Sequence, residues 1–256
     1  MRRPRTLLAA ATLAGAALLG GRAARAVDLQ QWKPAPGEED LLAVQSPRLG
    51  QPYAWHLLFA ANYADRPFRL VRIGSNRTVA NVISHQTSLD LGGAWTWRNL
   101  VEVGAVLPIT LNQTVGAAGA LDPGLPSSVP HTALGDLRLV AKAPIAEVAG
   151  TTFAAGLPLS LPTARGDSFL GHEGLTARPR LLVGRPLGRA FLVADAGLAL
   201  RAAETFRNFD QATAIDVGLG ASLPIPVQHQ DLTAILTAGG EWGLAQNGPE
   251  EKPLEV

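Results

Sequence analysis

The chain has 256 residues, of which 47% are hydrophobic and 17% charged, and its formal net charge is +1. This composition excludes an intrinsically disordered chain and argues against a nucleic-acid-binding protein, because both classes carry more charge. The sequence has no cysteine, which excludes disulfide scaffolds, thiolate metal sites and cysteine nucleophiles.

The first 26 residues have the pattern of a cleavable secretory signal. Met1–Arg5 carries three arginines, Leu7–Leu19 is an apolar run of 13 residues, and Ala24–Ala26 supplies the small residues of a cleavage site. A membrane-spanning helix needs about 20 apolar residues, so this run is too short for an anchor. Removing the signal leaves 17 basic against 21 acidic residues, a net charge of −4. We predict a signal peptide at 1–26 and a periplasmic N-terminal segment at 27–52.

Three later segments alternate strictly between apolar residues and small or polar ones. In Val101–Leu111, Val103 and Ile109 share one face while Glu102 and Thr110 share the other. Period-two alternation over about ten residues predicts β-strands long enough to cross an outer membrane. The other two segments are Thr152–Leu161 and Ala214–Ile225. Six segments alternate more weakly and bring the number of predicted strands to nine: Tyr53–Asn62, Ile83–Trp95, Asp136–Ala143, Thr176–Gly184, Ala190–Arg201 and Leu232–Trp242.

The connections between these strands alternate in length. The shorter ones are Trp97–Asn99, Pro144–Gly150, Arg185–Arg189 and Pro226–Asp231. The longer and more polar ones are Tyr63–Val82, Asn112–Gly135, Pro162–Leu175 and Ala202–Thr213. Short periplasmic turns and long outer loops are typical of outer-membrane barrels. We therefore predict an all-β fold, an antiparallel up-and-down transmembrane β-barrel of nine or ten strands over residues 53–256.

Four aromatic residues fall at one predicted rim of this barrel. Tyr53 and Trp55 open the first strand, whereas Trp95 and Trp97 close the second. Aromatic residues are enriched where a barrel meets the membrane–water interface, so we predict these four as membrane-interface residues.

A soluble β-sandwich is the alternative fold, since its strands also alternate between apolar and polar residues, but it tolerates large polar residues on its second face. The second face here is rich in Gly, Ala, Ser and Thr, as a narrow lumen requires.

Charged side chains on the small-residue face are predicted to point into the lumen. They are Asp90, Glu102, Asp136, Arg138, Arg178, Arg180, Asp195, Arg201 and Asp216. Five acids and four arginines are nearly balanced, and an unpaired buried charge is costly. This balance favours ion pairs that fill the lumen over an open aqueous pore.

Several short runs resemble the barrel-bearing members of the OmpA family, and their order in the chain carries the resemblance. They are Gln31–Gly37, Asp40–Leu42, Asn62–Asp65 with Pro67, His85–Gln86 with Leu89–Leu91, Leu134–Leu139, Gly156–Pro158 with Leu161–Thr163, and Phe169–Gly171. The resemblance covers most of residues 31–256. It implies an outer-membrane barrel followed by a periplasmic domain that binds peptidoglycan.

The sequence departs from that family pattern at its C-terminal end. Pro253–Val256 has the character of an entry into a tenth strand, and no final aromatic residue or peptidoglycan-binding domain follows. We therefore expect the barrel to be truncated before closure, and contact with peptidoglycan to require a domain missing from this chain.

Catalytic and cofactor motifs are absent from the sequence. Gly218–Ser222 lacks the third glycine of a dinucleotide fingerprint and lies in a strand pattern. The five histidines are scattered, with no pair at metal-ligand spacing. We predict no enzyme, cofactor, metal or nucleic-acid partner, and a non-enzymatic outer-membrane barrel that contacts lipid, supports envelope structure and forms at most a narrow pore. The alternatives are a transport barrel for small or apolar solutes, dependent on Arg178 and Arg180, and a soluble periplasmic β-sandwich binding module.

Overall fold

The computed structural model describes residues 32–72, 77–116, 128–164, 168–172, 174–206, 209–227, 230–244 and 254–255. The predicted signal peptide at 1–26 lies outside these residues. Within them all regular secondary structure is β-strand, and no helix is long and apolar enough to cross a membrane. The predicted all-β antiparallel fold is confirmed at this level.

Fourteen strands make up the described structure. In chain order they are β1 (Trp55–Arg72), β2 (Arg77–Trp97), β3 (Val101–Val115), β4 (Ala133–Leu134), β5 (Leu137–Val148), β6 (Thr151–Leu161), β7 (Thr176–Ala177), β8 (Arg180–Leu187), β9 (Ala190–Ala199), β10 (Glu204–Phe206), β11 (Phe209–Gln211), β12 (Ala214–Val227), β13 (Gln230–Gly243) and β14 (Leu254–Glu255). One large sheet has the order β1-β2-β3-β5-β6-β8-β9-β12-β13-β14. Its nine long strands curl into a half-barrel. The short strands β4 and β7 pair with β3 and β6, and β10 with β11 forms a separate ribbon.

The turns at one end of the sheet are short. Ala149–Gly150 joins β5 to β6 with both φ angles positive, at 50° and 74°. A two-residue loop with positive φ at both positions matches the right-handed twist of a hairpin. Gly188–Arg189 joins β8 to β9, and Arg98–Leu100 joins β2 to β3. We call this the short-turn end of the sheet, and the opposite end the long-link end.

Several predicted connections are wrong because strand pairing continues through them. Tyr63–Val82 is largely strand, since β1 extends to Arg72 and β2 begins at Arg77. The charged residues there suggested a loop, but the two strands pair through this stretch, and Phe68 and Val82 join a buried apolar cluster. Pro67 is accommodated by a register shift between Asp65 and Phe68, because a bulge removes the need for its missing donor. Pro144–Gly150 and Pro226–Asp231 are likewise mostly strand, and Ala202–Thr213 contains the β10–β11 ribbon.

The two faces of the sheet differ sharply in exposure. Side chains on the convex face are large, apolar and exposed, as for Leu57, Phe59 and Leu219, which are 68%, 73% and 57% exposed. Side chains on the concave face are buried although many are polar or charged, as for Asp90 and Lys142. The sheet therefore presents its apolar face outward and its polar face inward, the reverse of a sheet that packs on a soluble core.

An apolar cluster lies at the long-link end of the sheet. Val82, Ile83, Val129 and Phe169 are buried together, and the rings of Phe68 and Phe169 are 5.9 Å apart. The cluster joins β1 and β2 to the link residues that follow β3 and β6. It gives this end of the half-barrel a small hydrophobic core of its own.

Candidate functional site: the occupied concave face

The concave face of the sheet is occupied by the chain's own N-terminal segment. This segment, residues 34–50, forms its own turns through hydrogen bonds from Ala35 N to Leu42 O and between Leu41 and Val44 in both directions. Leu41 and Val44 are 5% and 3% exposed and pack with residues of β9. Sequence analysis placed this stretch before the barrel; the structure places it against the inner face of the sheet.

Small residues on the concave face make room for the segment. A Cβ atom added at Gly104 on β3 would lie 2.7 Å from Cγ of Pro36. One added at Gly220 on β12 would lie 2.9 Å from Cδ1 of Leu41. The glycines that suggested a narrow lumen are therefore positions where the backbone of the sheet approaches the segment closely.

Lys142 is the centre of the first group of buried charges. Its Nζ lies 2.7 Å from Asp40 Oδ1 in the N-terminal segment and 3.0 Å from Glu102 Oε1 on β3. The Asp40 carboxylate also accepts hydrogen bonds from the backbone of Gly37 and Ser46. The Glu102 carboxylate accepts one from Gly50 N at 2.8 Å. These contacts hold the segment at two points, Asp40 and Gly50, to the same lysine–glutamate pair.

A second group of charges lies across β8, β9, β12 and β13. Arg180 donates hydrogen bonds to Asp195 at 3.1 Å and to Asp216 at 2.8 Å. Arg178 Nη1 lies 3.2 Å from Asp216 and 3.1 Å from Glu241.

Two further contacts complete this second group. Arg201 pairs with Glu241 from the other side. Asp195 also accepts a hydrogen bond from Gln45 N in the N-terminal segment at 3.0 Å. Three arginines thus face three carboxylates, and the segment adds a backbone donor.

The third contact joins β5 to β2. Arg138 donates a hydrogen bond to Asp90 at 2.8 Å, and its other terminal nitrogen lies 3.5 Å from Pro34 O. Asp90 is fully buried and Arg138 is 8% exposed. All three groups of charges therefore touch both the sheet and the N-terminal segment.

Asp136 has a different role from the other predicted inward-facing residues. Its carboxylate accepts hydrogen bonds from the backbone of Thr163 and Ala164 at 3.0 Å and of His172 at 2.8 Å. These donors belong to the link after β6. Asp136 thus holds that link against the start of β5.

Of the nine charged residues predicted to face inward, eight join the three ion-pair groups and Asp136 binds the link. All nine have buried or largely buried side chains. That this face lines a closed lumen stays a prediction. Three participants were missed: Asp40, Lys142 and Glu241. Lys142 follows Arg138 by four residues on the same strand face, so the period-two alternation of β5 could have identified it as an inward-facing residue.

The four predicted rim aromatics cluster at the short-turn end of β1 and β2. Trp55 and Trp95 are register partners with ring centroids 5.9 Å apart and planes at 29°. Tyr53 Oη accepts a hydrogen bond from Arg98 at 3.1 Å, and Trp97 is 43% exposed. An interfacial role for these residues stays a prediction.

On the described part of the concave face, the charged side chains pair with one another. In the described part of the chain no group of three or more His, Cys, Asp or Glu side chains is placed to hold a metal ion.

No family model matches the chain. Comparison with curated proteins also gives no match.

Proposed function

We propose that the chain forms a non-enzymatic outer-membrane β-barrel of the OmpA type, exported by its N-terminal signal, that contributes to envelope structure. The observation that carries the proposal is the reversed polarity of the sheet. Large apolar side chains cover the convex face and are exposed on all nine long strands or their turns. They are the lipid-facing surface that a membrane barrel needs.

The concave face supports the same proposal. A charge facing lipid at the membrane midplane costs about 2–4 kcal/mol, so a barrel directs its charges inward and pairs them. The ion pairs of Arg138, Lys142 and Arg180 follow this arrangement. The aromatic group at the short-turn end, with Trp55 76% exposed, fits one membrane–water interface.

The soluble sandwich is less well supported by the same observations. A sandwich buries the apolar face of its sheet against a second sheet and leaves the polar face to solvent. Here the polar face is the covered one. Within the described residues the only other sheet is the two-stranded ribbon of β10 and β11, with three residues in each strand, which is too small to cover nine strands.

Cell fractionation with electrophoresis tests the proposal. We expect the protein in the detergent-extracted membrane fraction, migrating differently in unboiled and boiled samples because a folded β-barrel resists the detergent. The control is a periplasmic marker protein released by osmotic shock. Recovery of this chain with that marker, with no difference between unboiled and boiled samples, would contradict the barrel and favour the sandwich.

A further inference from the structure

The N-terminal segment is held to the sheet in an unusual way. Its backbone–backbone hydrogen bonds in the described structure are internal, and none joins residues 34–50 to the backbone of a strand. The hydrogen bonds and ion pairs to the sheet all involve a side chain of the sheet, from Lys142, Glu102, Asp195 or Arg138. The guanidinium group of Arg48 in the segment also lies 3.6 Å from the ring of Phe191 on β9. The segment can therefore leave without breaking any strand pairing.

The charges of the sheet do not depend on the segment for neutralisation. On the described strands and their ends, the three groups comprise five basic and five acidic residues that pair with one another. They are Arg138, Lys142, Arg178, Arg180, Arg201, Asp90, Glu102, Asp195, Asp216 and Glu241. Lys142 retains Glu102 if Asp40 departs. Removal of the segment leaves no unpaired charge on the sheet, and the buried charge it would withdraw is Asp40 itself.

One buried polar atom of the segment lacks a hydrogen-bond partner among the described residues. Gln45 is 3% exposed, yet its Oε1 has no hydrogen-bond partner among the described residues. A buried carbonyl oxygen without a donor favours the state in which water reaches it. This feature lowers the free-energy difference between the seated and the displaced segment.

We propose that residues 34–50 are a displaceable plug, latched by Asp40 to Lys142, whose release opens the interior to inorganic ions and small polar solutes. The inference rests on the proposed barrel and requires the open edges at β1 and at β13–β14 to be joined into a closed wall, because only a closed wall turns displacement into permeation. The interior that is uncovered carries balanced charges of both signs. We therefore expect little selectivity between cations and anions.

Thiol labelling measures displacement without requiring a pore. The natural chain has no cysteine, so Val44→Cys provides one reporter at a position that is 3% exposed. In the full-length protein carrying this reporter, Asp40→Asn is expected to raise the rate of maleimide labelling about tenfold, because it removes a charge-assisted hydrogen bond from the latch. Glu39→Gln is the matched control and should leave the rate unchanged. Equal rates in the Asp40 and Glu39 variants would overturn the latch.

A disulfide between segment and sheet tests whether displacement is what conducts. Cβ of Leu41 lies 3.5 Å from the position of a Cβ at Gly220, within the range that a disulfide bridges. In planar bilayers Asp40→Asn is expected to raise ion conductance. With Leu41→Cys and Gly220→Cys added, oxidation should abolish the increase and a reductant should restore it. Conductance that is insensitive to oxidation in a fully cross-linked sample would overturn the plug.

The two proposals fail in different ways. If fractionation finds the wild-type chain soluble, the barrel fails, while the labelling rates still report on the latch. If the chain is a heat-modifiable membrane protein and labelling accelerates without any conductance, the barrel stands and the permeation role of the plug is overturned. If cross-linking of Leu41→Cys with Gly220→Cys does not form in the otherwise unchanged chain, the seated position of the segment is itself wrong.

Discussion

Arg138 on β5 binds Asp90 on β2 at 2.8 Å, although β3 lies between the two strands. Neighbouring strands are about 4.8 Å apart, so β2 and β5 are roughly two strand spacings apart. The side chains of Arg138 and Asp90 together cross this distance above β3. Asp90 is fully buried, and the Arg138 side chain is 10% exposed. The pair joins β2 to β5 across β3 in an interior from which water is largely excluded, where the loss of one partner removes the opposite charge beside a buried group.

We expect Asp90→Leu to lower the free energy of unfolding by about 3–5 kcal/mol, because the buried Arg138 keeps its charge and loses the carboxylate that lies 2.8 Å away. The double variant Asp90→Leu/Arg138→Met should recover most of that loss, since an apolar pair of similar volume avoids the desolvation cost. Urea unfolding in detergent micelles, followed by tryptophan fluorescence, measures both. Asp65→Leu is the control, because the exposed pair of Asp65 with Arg66 is worth at most about 1 kcal/mol. A double variant as unstable as the single one would contradict the pairing.

Gly197 determines whether Arg180 can reach Asp216. The three residues are register partners on β8, β9 and β12, and a Cβ at Gly197 would lie 2.7 Å from Pro179 O and 2.8 Å from Arg180 Cβ. We expect Gly197→Ala to cost about 1–3 kcal/mol, because the crowded carbonyl belongs to the backbone and cannot rotate away. Gly174→Ala is the matched control, since that position has open space. The same urea titration compares them, and equal midpoints would show that the arginine does not need this gap.

The alternation of apolar and small residues was enough to predict most of the sheet. Val101–Leu111 and Ala214–Ile225 lie within β3 and β12, and their faces agree with the observed burial. Strand ends were predicted less well. Residues 63–72 mix four charged residues with apolar ones, and their pairing depends on a partner strand and a bulge that the local pattern does not contain.

The occupant of the concave face could not be predicted from strand periodicity. Asp40 lies in a segment without regular structure, and the residue it contacts, Lys142, is 102 residues further along the chain. Glu241 joins the arginines only because the register places it opposite Asp216. Phase along a strand indicates which side chains share a face; the pairs they form depend on the register and on the segment that packs there.

Asp136 offers a test of local rather than global stability. Its carboxylate accepts three backbone hydrogen bonds from residues 163–172. We expect Asp136→Ala to remove these three hydrogen bonds, of which the one to the buried His172 amide is worth about 1–3 kcal/mol, and to loosen the link first. Hydrogen exchange should accelerate at Thr163, Ala164 and His172 while the amides of β12 change little. Asp65→Ala provides an exposed control, and uniform acceleration across the sheet would show that Asp136 acts on the whole fold.

Two matched leucine substitutions distinguish a lipid-facing from a solvent-facing surface. Leu219 lies near the middle of β12 and Leu187 at the short-turn end of β8, and they are 57% and 64% exposed. If the convex face contacts lipid, Leu219→Arg should cost about 2–4 kcal/mol on folding into phospholipid vesicles and Leu187→Arg about 0–1 kcal/mol, because the penalty falls toward the interface. Urea titrations of vesicle-folded protein, read by the change in electrophoretic migration, give both values. In a solvent-exposed sheet both arginines would be tolerated equally, since each replaces an exposed apolar side chain with a soluble one; equal costs would therefore contradict the membrane proposal whatever the stability of the parent protein.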